Sequence, residues 1–325
     1  MGRKTARASR FGRFMLLLFM GVFLGAIFML LFPQYLVKKP PEGAFLKSAF
    51  NGEGLPLSFS IVLWNGLRPP GFYGKQTPPF FPESLLQFAE TTLPDLLVFA
   101  CVPLVEEPTA KGLPERPILP NELDRRFSRY GLYAVKTESD QDTHTTLQTF
   151  HLLWSRTKPD VIPKNTASLG LGIFVKKEPS LSLSILEYTR EQRKLLVYLP
   201  DFSAVRDRSD WEDCLKALKE EIVAQYAQGK SVLVAGDWRG CLPGAQNCLA
   251  TMEQIPILWT PEGWSWFYPC YPDLSPFASS PFRDAFSGIL ASPDLLAREF
   301  ETFTPQASTS ENEPMVFNSA IRVVF

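Results

Sequence analysis

Histidine is nearly missing from this chain: His144 and His151 are the only two in 325 residues. That scarcity excludes a histidine-rich metal centre and leaves few groups able to exchange a proton near neutral pH. No Cys-x-x-Cys pair occurs, so the five cysteines (Cys101, Cys214, Cys241, Cys248 and Cys270) lack the spacing of a zinc site. No Asn-x-Ser/Thr acceptor is present either, which is compatible with a bacterial envelope. Acidic residues are absent from residues 1–39, which carry seven positive charges; the formal net charge of −1 therefore leaves −8 on the rest. An acidic body is poorly suited to a phosphate backbone, so bulk charge argues against nonspecific nucleic-acid binding.

The longest apolar run lies at the amino terminus. Residues 14–32, "FMLLLFMGVFLGAIFMLLF", are 19 consecutive apolar or glycine residues. As a helix they would span about 28 Å, enough to cross a hydrocarbon core. Five positive charges precede the run and two follow it, which predicts a cytoplasmic tail over residues 1–13 and a body across the membrane. The rival reading is a cleaved signal peptide, whose apolar region is usually shorter and ends in a small-x-small site. The sequence therefore predicts a signal-anchor over residues 14–36. Gly21 and Gly25 form a Gly-x-x-x-Gly compatible with a homodimer through the anchor helix, or merely with lipid contact. Residues 37–57, rich in Pro and Gly, read as a linker, and residues 58–325 as the folded domain. In an oxidising compartment Cys241 and Cys248 could close a short loop; buried free thiols are the alternative.

Within the domain, β-rich and helix-like blocks alternate. Strands are predicted at 59–65, 95–102, 170–177, 183–189, 194–200, 231–237, 286–291, 299–303 and 315–324. Helices are predicted at 82–93, at 121–131 with Gly131 as the stop, and at 208–229, with Ser209 as N-cap and Gly229 as terminator. The alternation implies a layered α/β domain. The aromatic stretch 262–272, "EGWSWFYPCYP", reads as a loop packed over the sheets, with a sugar or partner platform as the rival. Arg206 and Arg208 belong to a solvated helix start or reach a ligand groove.

Several landmarks occur in a telling order: "VLWNG", "PDLLVFACV", "LGIFVKK", "LLVYLPDFSAVRDRSDWEDCLKAL", "VLVAGDW", "FSGILASPDLL" and "SENEPMVFNSAIRV". In this order they resemble the endonuclease/exonuclease/phosphatase superfamily of metal-dependent phosphoesterases. The resemblance implies a four-layer α/β/β/α sandwich, here preceded by one transmembrane helix. It also implies a site in which carboxylates hold Mg²⁺ or Mn²⁺ and an Asp/His pair works on water. Asn65 matches the first-strand asparagine of the family and Asp237 its Gly-Asp aspartate.

The other positions depart. Cys101 stands where the metal-binding glutamate is expected, with Glu106 and Glu107 five and six residues on. Arg239 replaces an asparagine, Ser287 an aspartate, Glu311-Asn312 the terminal Asp-His pair, and the mid-domain histidine falls near Leu199-Pro200. His151 lies in no matching segment and reads as a core or surface histidine. Arg239 could pair with Asp237, clamp an anionic ligand, or be loop drift.

These departures point to a retained fold and a lost reaction: a membrane-anchored pseudoenzyme that binds a protein partner or an anionic ligand, with no cofactor. The alternative is a divergent Mg²⁺- or Mn²⁺-dependent phosphodiesterase or phosphatase whose metal site is rebuilt from Asn65, Asp237, Glu106 or Glu107, and Glu311.

Overall fold

The structure is a computed structural model. It describes residues 44–47, 58–66, 81–107, 116–117, 119, 121–136, 147–160, 182–190, 192–202, 205, 208–240, 242–243, 255, 259–269, 287–305 and 319–325. The apolar run at 14–32, the strand expected at 170–177, Cys241, Cys248 and Glu311-Asn312 lie outside them. Among the described residues no helix is long and apolar enough to cross a membrane. The fold belongs to the unit spanning residues 41–325.

Thirteen strands and three helices are described. In chain order they are β1 (Ala44–Lys47), β2 (Ser60–Asn65), α1 (Glu83–Thr92), β3 (Leu96–Glu107), β4 (Arg116–Pro117), α2 (Asn121–Arg126), β5 (Gly131–Lys136) and β6 (Leu147–Ser155). There follow β7 (Ser182–Arg190), β8 (Arg193–Asp201), α3 (Arg208–Ala227), β9 (Ser231–Asp237), β10 (Ser265–Phe267), β11 (Ser287–Ala291), β12 (Glu299–Phe303) and β13 (Ala320–Val324). One sheet runs β1-β5-β6-β3-β2-β13-β12, with β4 added to β3; the other runs β10-β11-β9-β8-β7. Both are mixed, since β2 pairs parallel with β3 and β8 parallel with β9 while the other pairs are antiparallel.

Side-chain parity builds the layers. Along β2, Ile61 and Leu63 enter the core between the sheets, while Val62 and Trp64 face Leu85, Leu86 and Ala89 of α1. Along β9, Leu233 and Ala235 point inward, and Val232 and Val234 meet Trp211, Cys214, Leu215, Leu218 and Ile222 of α3. Strands buried on both faces read as continuous apolar runs, which is why "SIVLW" and "SVLVA" show no alternation. The layers run helix, sheet, sheet, helix.

The helix ends follow local chemistry. α1 begins after Pro82 and stops at Leu93, a left-handed residue whose N–H donates to the Ala89 carbonyl. α3 begins one residue before Ser209, so Ser209 sits inside the helix rather than capping it. Its far end agrees with the sequence: Gly229 takes φ 83°, and its N–H donates to Tyr226. α2 stops at Arg126, short of the Gly131 terminus expected, and Gly131 instead opens β5. β1 falls within the 37–57 stretch read as a linker, paired antiparallel with β5.

The 262–269 part of the aromatic stretch is an edge strand and its approach, not a loop lying over the sheets. β10 pairs with β11, Trp264 is buried against α3's layer, and Trp266 meets Trp238 edge to face. The neighbouring Gly288 has no room for a side chain: a Cβ there would meet Leu242 Cδ1 at 2.4 Å and the Phe267 carbonyl at 3.2 Å. Gly288→Ala is expected to destabilise the fold by about 1–3 kcal/mol, read as a lower urea midpoint with unchanged slope.

Candidate functional site

The inward face of each central strand stays apolar until one end of the sandwich, where it turns polar. On β2 the series Ile61, Leu63 ends in Asn65; on β9 Leu233, Ala235 ends in Asp237; on β11 Ala291, Ile289 ends in Ser287. Ser287 lies directly opposite Asp237 in the strand pairing. On β8 the series Leu195, Val197, Leu199 ends in Asp201, which the parallel register of β8 and β9 brings level with Asp237. β3 contributes Cys101 and β6 contributes His151. All are buried, with Asn65 2%, His151 3%, Asp237 3% and Asp201 9% exposed, so each needs a partner to offset lost hydration.

Asp237 is the hub. Its Oδ2 accepts from Asn65 Nδ2 at 3.1 Å and from the Cys101 thiol at 3.8 Å. Its Oδ1 accepts from the Arg239 backbone N–H at 2.8 Å. The bonds join β2 and β3 of one sheet to the end of β9 in the other. Asn65 and Asp237, paired in the sequence reading only by resemblance, are therefore in contact. Arg239 meets Asp237 through its main chain, while its side chain is exposed. Cys101 and Arg239 both hold left-handed backbone, φ 52° and 53°, which is uncommon for residues with a Cβ.

The Asp237 end of β9 is fixed from behind by Trp238, which is fully buried. Its Nε1 donates to the Gly288 carbonyl at 3.1 Å, and its own carbonyl accepts from Trp211 Nε1 at 3.0 Å. The backbone of Glu106, one of the two glutamates offered for a rebuilt metal site, lies in β3. It pairs with Pro117 of β4, five residues beyond Cys101, or about 16 Å along an extended strand.

His151 and Asp201 are the residues sequence reasoning missed at this end. β3 bulges between Phe99 and Val102, so that Ala100 and Cys101 together oppose His151. The Cys101 N–H donates to His151 Nδ1 at 3.2 Å. Among the described residues, buried His151 Nε2 finds no hydrogen-bond partner. Burial holds the imidazole below its ordinary value; Asp201 and Asp237 pull upward, and Arg239 pushes further down.

The folded chain thus keeps His151 neutral, while the unfolded chain takes up a proton below about pH 6.5. The stability this contributes is complete above that pH. It falls as pH drops toward the folded value, by up to about 1.4 kcal/mol per unit. His151→Asn is expected to flatten that part of the profile, as read by urea unfolding of both proteins from about pH 7.5 down to about pH 5.

No protein-family model matches the chain, and no curated protein matches it in sequence. Solved structures similar to it include D. rerio TDP2 complexed with a single-strand DNA product, at 12% identity and TM-score 0.49, covering 83% of this chain and 99% of that one. An endonuclease/exonuclease/phosphatase from Beutenbergia cavernae shows 12% identity and TM-score 0.48, covering 82% and 71%. The human Nocturnin catalytic domain with bound sulfate shows 15% identity and TM-score 0.43, covering 88% and 99%.

Proposed function

We propose that this chain is a membrane-anchored, catalytically inactive endonuclease/exonuclease/phosphatase-like protein that acts outside the cytoplasm as a binding or scaffold module. One observation carries the reading: the Asp237 carboxylate is held by three protein donors, Asn65 Nδ2, the Cys101 thiol and the Arg239 N–H. In a working site of this kind those lone pairs would face a cation and the reacting phosphate.

The donor set around Asp237 does not fit Mg²⁺ or Mn²⁺. Both favour oxygen ligands, and Mg²⁺ takes them in near-octahedral geometry. The groups on Asp237 are a soft thiol, an amide NH₂ and a main-chain N–H, all directed at the carboxylate. Among the described residues no three His, Cys, Asp or Glu side chains gather to hold an ion. The anchor reading is supported by the apolar run at 14–32 and the five cations before it. The ligand is an unidentified protein partner or a small anion, nucleic acid being disfavoured by the acidic body.

Thermal unfolding of the protein with and without Mg²⁺ or Mn²⁺, beside Asp237→Ala, tests the proposal. The expected result is no metal-dependent shift in either protein. A bound ion at 100 times its dissociation constant would add about 2.7 kcal/mol. A rise of that order that vanishes in Asp237→Ala, together with metal-dependent phosphodiester hydrolysis, would overturn the proposal. The rebuilt-site phosphodiesterase would then stand in its place.

A further inference from the structure

A bulge leaves a main-chain group without its ladder partner. Where β3 presents Ala100 and Cys101 against the single residue His151, β6 has one carbonyl too few for the extra N–H. The Cys101 N–H is nonetheless satisfied, by a side chain: His151 Nδ1 at 3.2 Å. The same residue carries φ 52° and directs its thiol to Asp237 Oδ2 at 3.8 Å.

The cost of this arrangement falls on His151. An imidazole that accepts through Nδ1 and stays neutral carries its proton on Nε2. That nitrogen is buried without a partner among the described residues, although Asp201 of β8, Asp237 of β9 and Arg239 beyond it all act on the ring. A leucine at this position would fill the core beside Leu153 and Tyr133 and bring no polar side-chain atom of its own into it. What a leucine would lack is an acceptor for the Cys101 amide.

We infer that His151 is a positioning residue: its neutral imidazole stands in for a strand carbonyl, accepts the Cys101 amide proton through Nδ1, and holds the bulge that delivers the Cys101 thiol to Asp237. The inference rests on reading Asp237 as a carboxylate held by protein donors. Its chain of contacts runs His151 to Cys101 to Asp237, from β6 through β3 to β9, and links the two sheets at their polar end. His151 touches no ligand in this scheme; it acts through Cys101.

With two histidines in the sequence, the test is clean. Nitrogen-15 labelling of histidine in the full chain gives two ring spectra, and His144→Gln identifies which is His151. At pH about 7.5, above the ordinary histidine range, His151 is expected as the Nε2–H tautomer with Nδ1 an acceptor. The Cys101 S–H stretch, isolated by difference against Cys101→Ala, gives the second readout. It is expected at a hydrogen-bonded frequency in the wild type. That signature should be lost in His151→Leu and regained in His151→Asn, whose Oδ1 replaces Nδ1 as acceptor.

An Nδ1–H tautomer, or a Cys101 band unchanged in His151→Leu, would overturn the inference. If the leucine variant does not fold, the wild-type tautomer decides alone. Neither readout involves Mg²⁺ or Mn²⁺, so failure here is separate from failure of the noncatalytic reading.

Discussion

Trp238→Ala is expected to cost about 3–5 kcal/mol, the range for deleting a fully buried indole, and to leave little folded protein in a domain of ordinary stability. The ring is fully buried and packs at 4.8 Å from Trp266, 5.6 Å from Trp259 and 6.3 Å from Phe202. Alanine would leave a cavity bounded by large aromatic groups that relax poorly. It would also free the Gly288 carbonyl, which accepts from Trp238 Nε1. Trp238→Phe separates the two terms: it keeps most of the ring and loses the donor, so a loss of about 1–3 kcal/mol is expected. Urea unfolding of the three proteins measures both. A loss below about 1 kcal/mol in the alanine variant would show that this aromatic knot is not what fixes the Asp237 end of β9.

The fold was legible in the sequence where an unbroken apolar run marks a strand, as in "SVLVA" of β9, or where a helix carries a single apolar stripe. Residues 231–237 coincide with β9 and 299–303 with β12, while 183–189 falls one residue short of β7 at each end. α3 shows why helices read well: Trp211, Cys214, Leu215, Leu218 and Ile222 keep one face across the helix. β5 and β6 were not legible. "GLYAVK" follows a glycine that reads as a helix stop, and "LQTFHLLWS" mixes polar and apolar residues on both sides.

The missed strand explains the missed residue. Only with β6 in place does His151 share the inward face of Leu153. Asp201 was hidden by Pro200, a residue that normally ends a strand. β8 continues through Pro200 because its pairing with β9 has already finished at Tyr198, so no ladder bond is lost on that side. The contact of Asn65 with Asp237 was legible only through the order of motifs, since 172 residues separate them. The bulge at Cys101 left no mark in composition, because its cause is the count of residues in two strands distant along the chain.

Asp237→Asn distinguishes a carboxylate kept for a ligand from one absorbed into the structure. In a site under chemical demand a buried, poorly satisfied carboxylate is a strain, and neutralising it commonly raises stability at the expense of function. At Asp237 the balance runs the other way. Both oxygens accept, one from Arg239 N–H and the other from Asn65 Nδ2 and Cys101. An asparagine has one oxygen, so its NH₂ must face either the Arg239 amide, donor against donor, or the Asn65–Cys101 pair, which then accepts it only if the Asn65 amide turns over and gives up its present contact. Each hydrogen bond to a charged group contributes about 1.5–3 kcal/mol, and relief of carboxylate desolvation offsets part of the loss. The expected net fall is about 2–4 kcal/mol at neutral pH, measured by urea unfolding. A rise in stability would mean that Asp237 is held against its own preference. The noncatalytic reading would then lose its main physical support, since protein donors would not be what keeps the carboxylate in place.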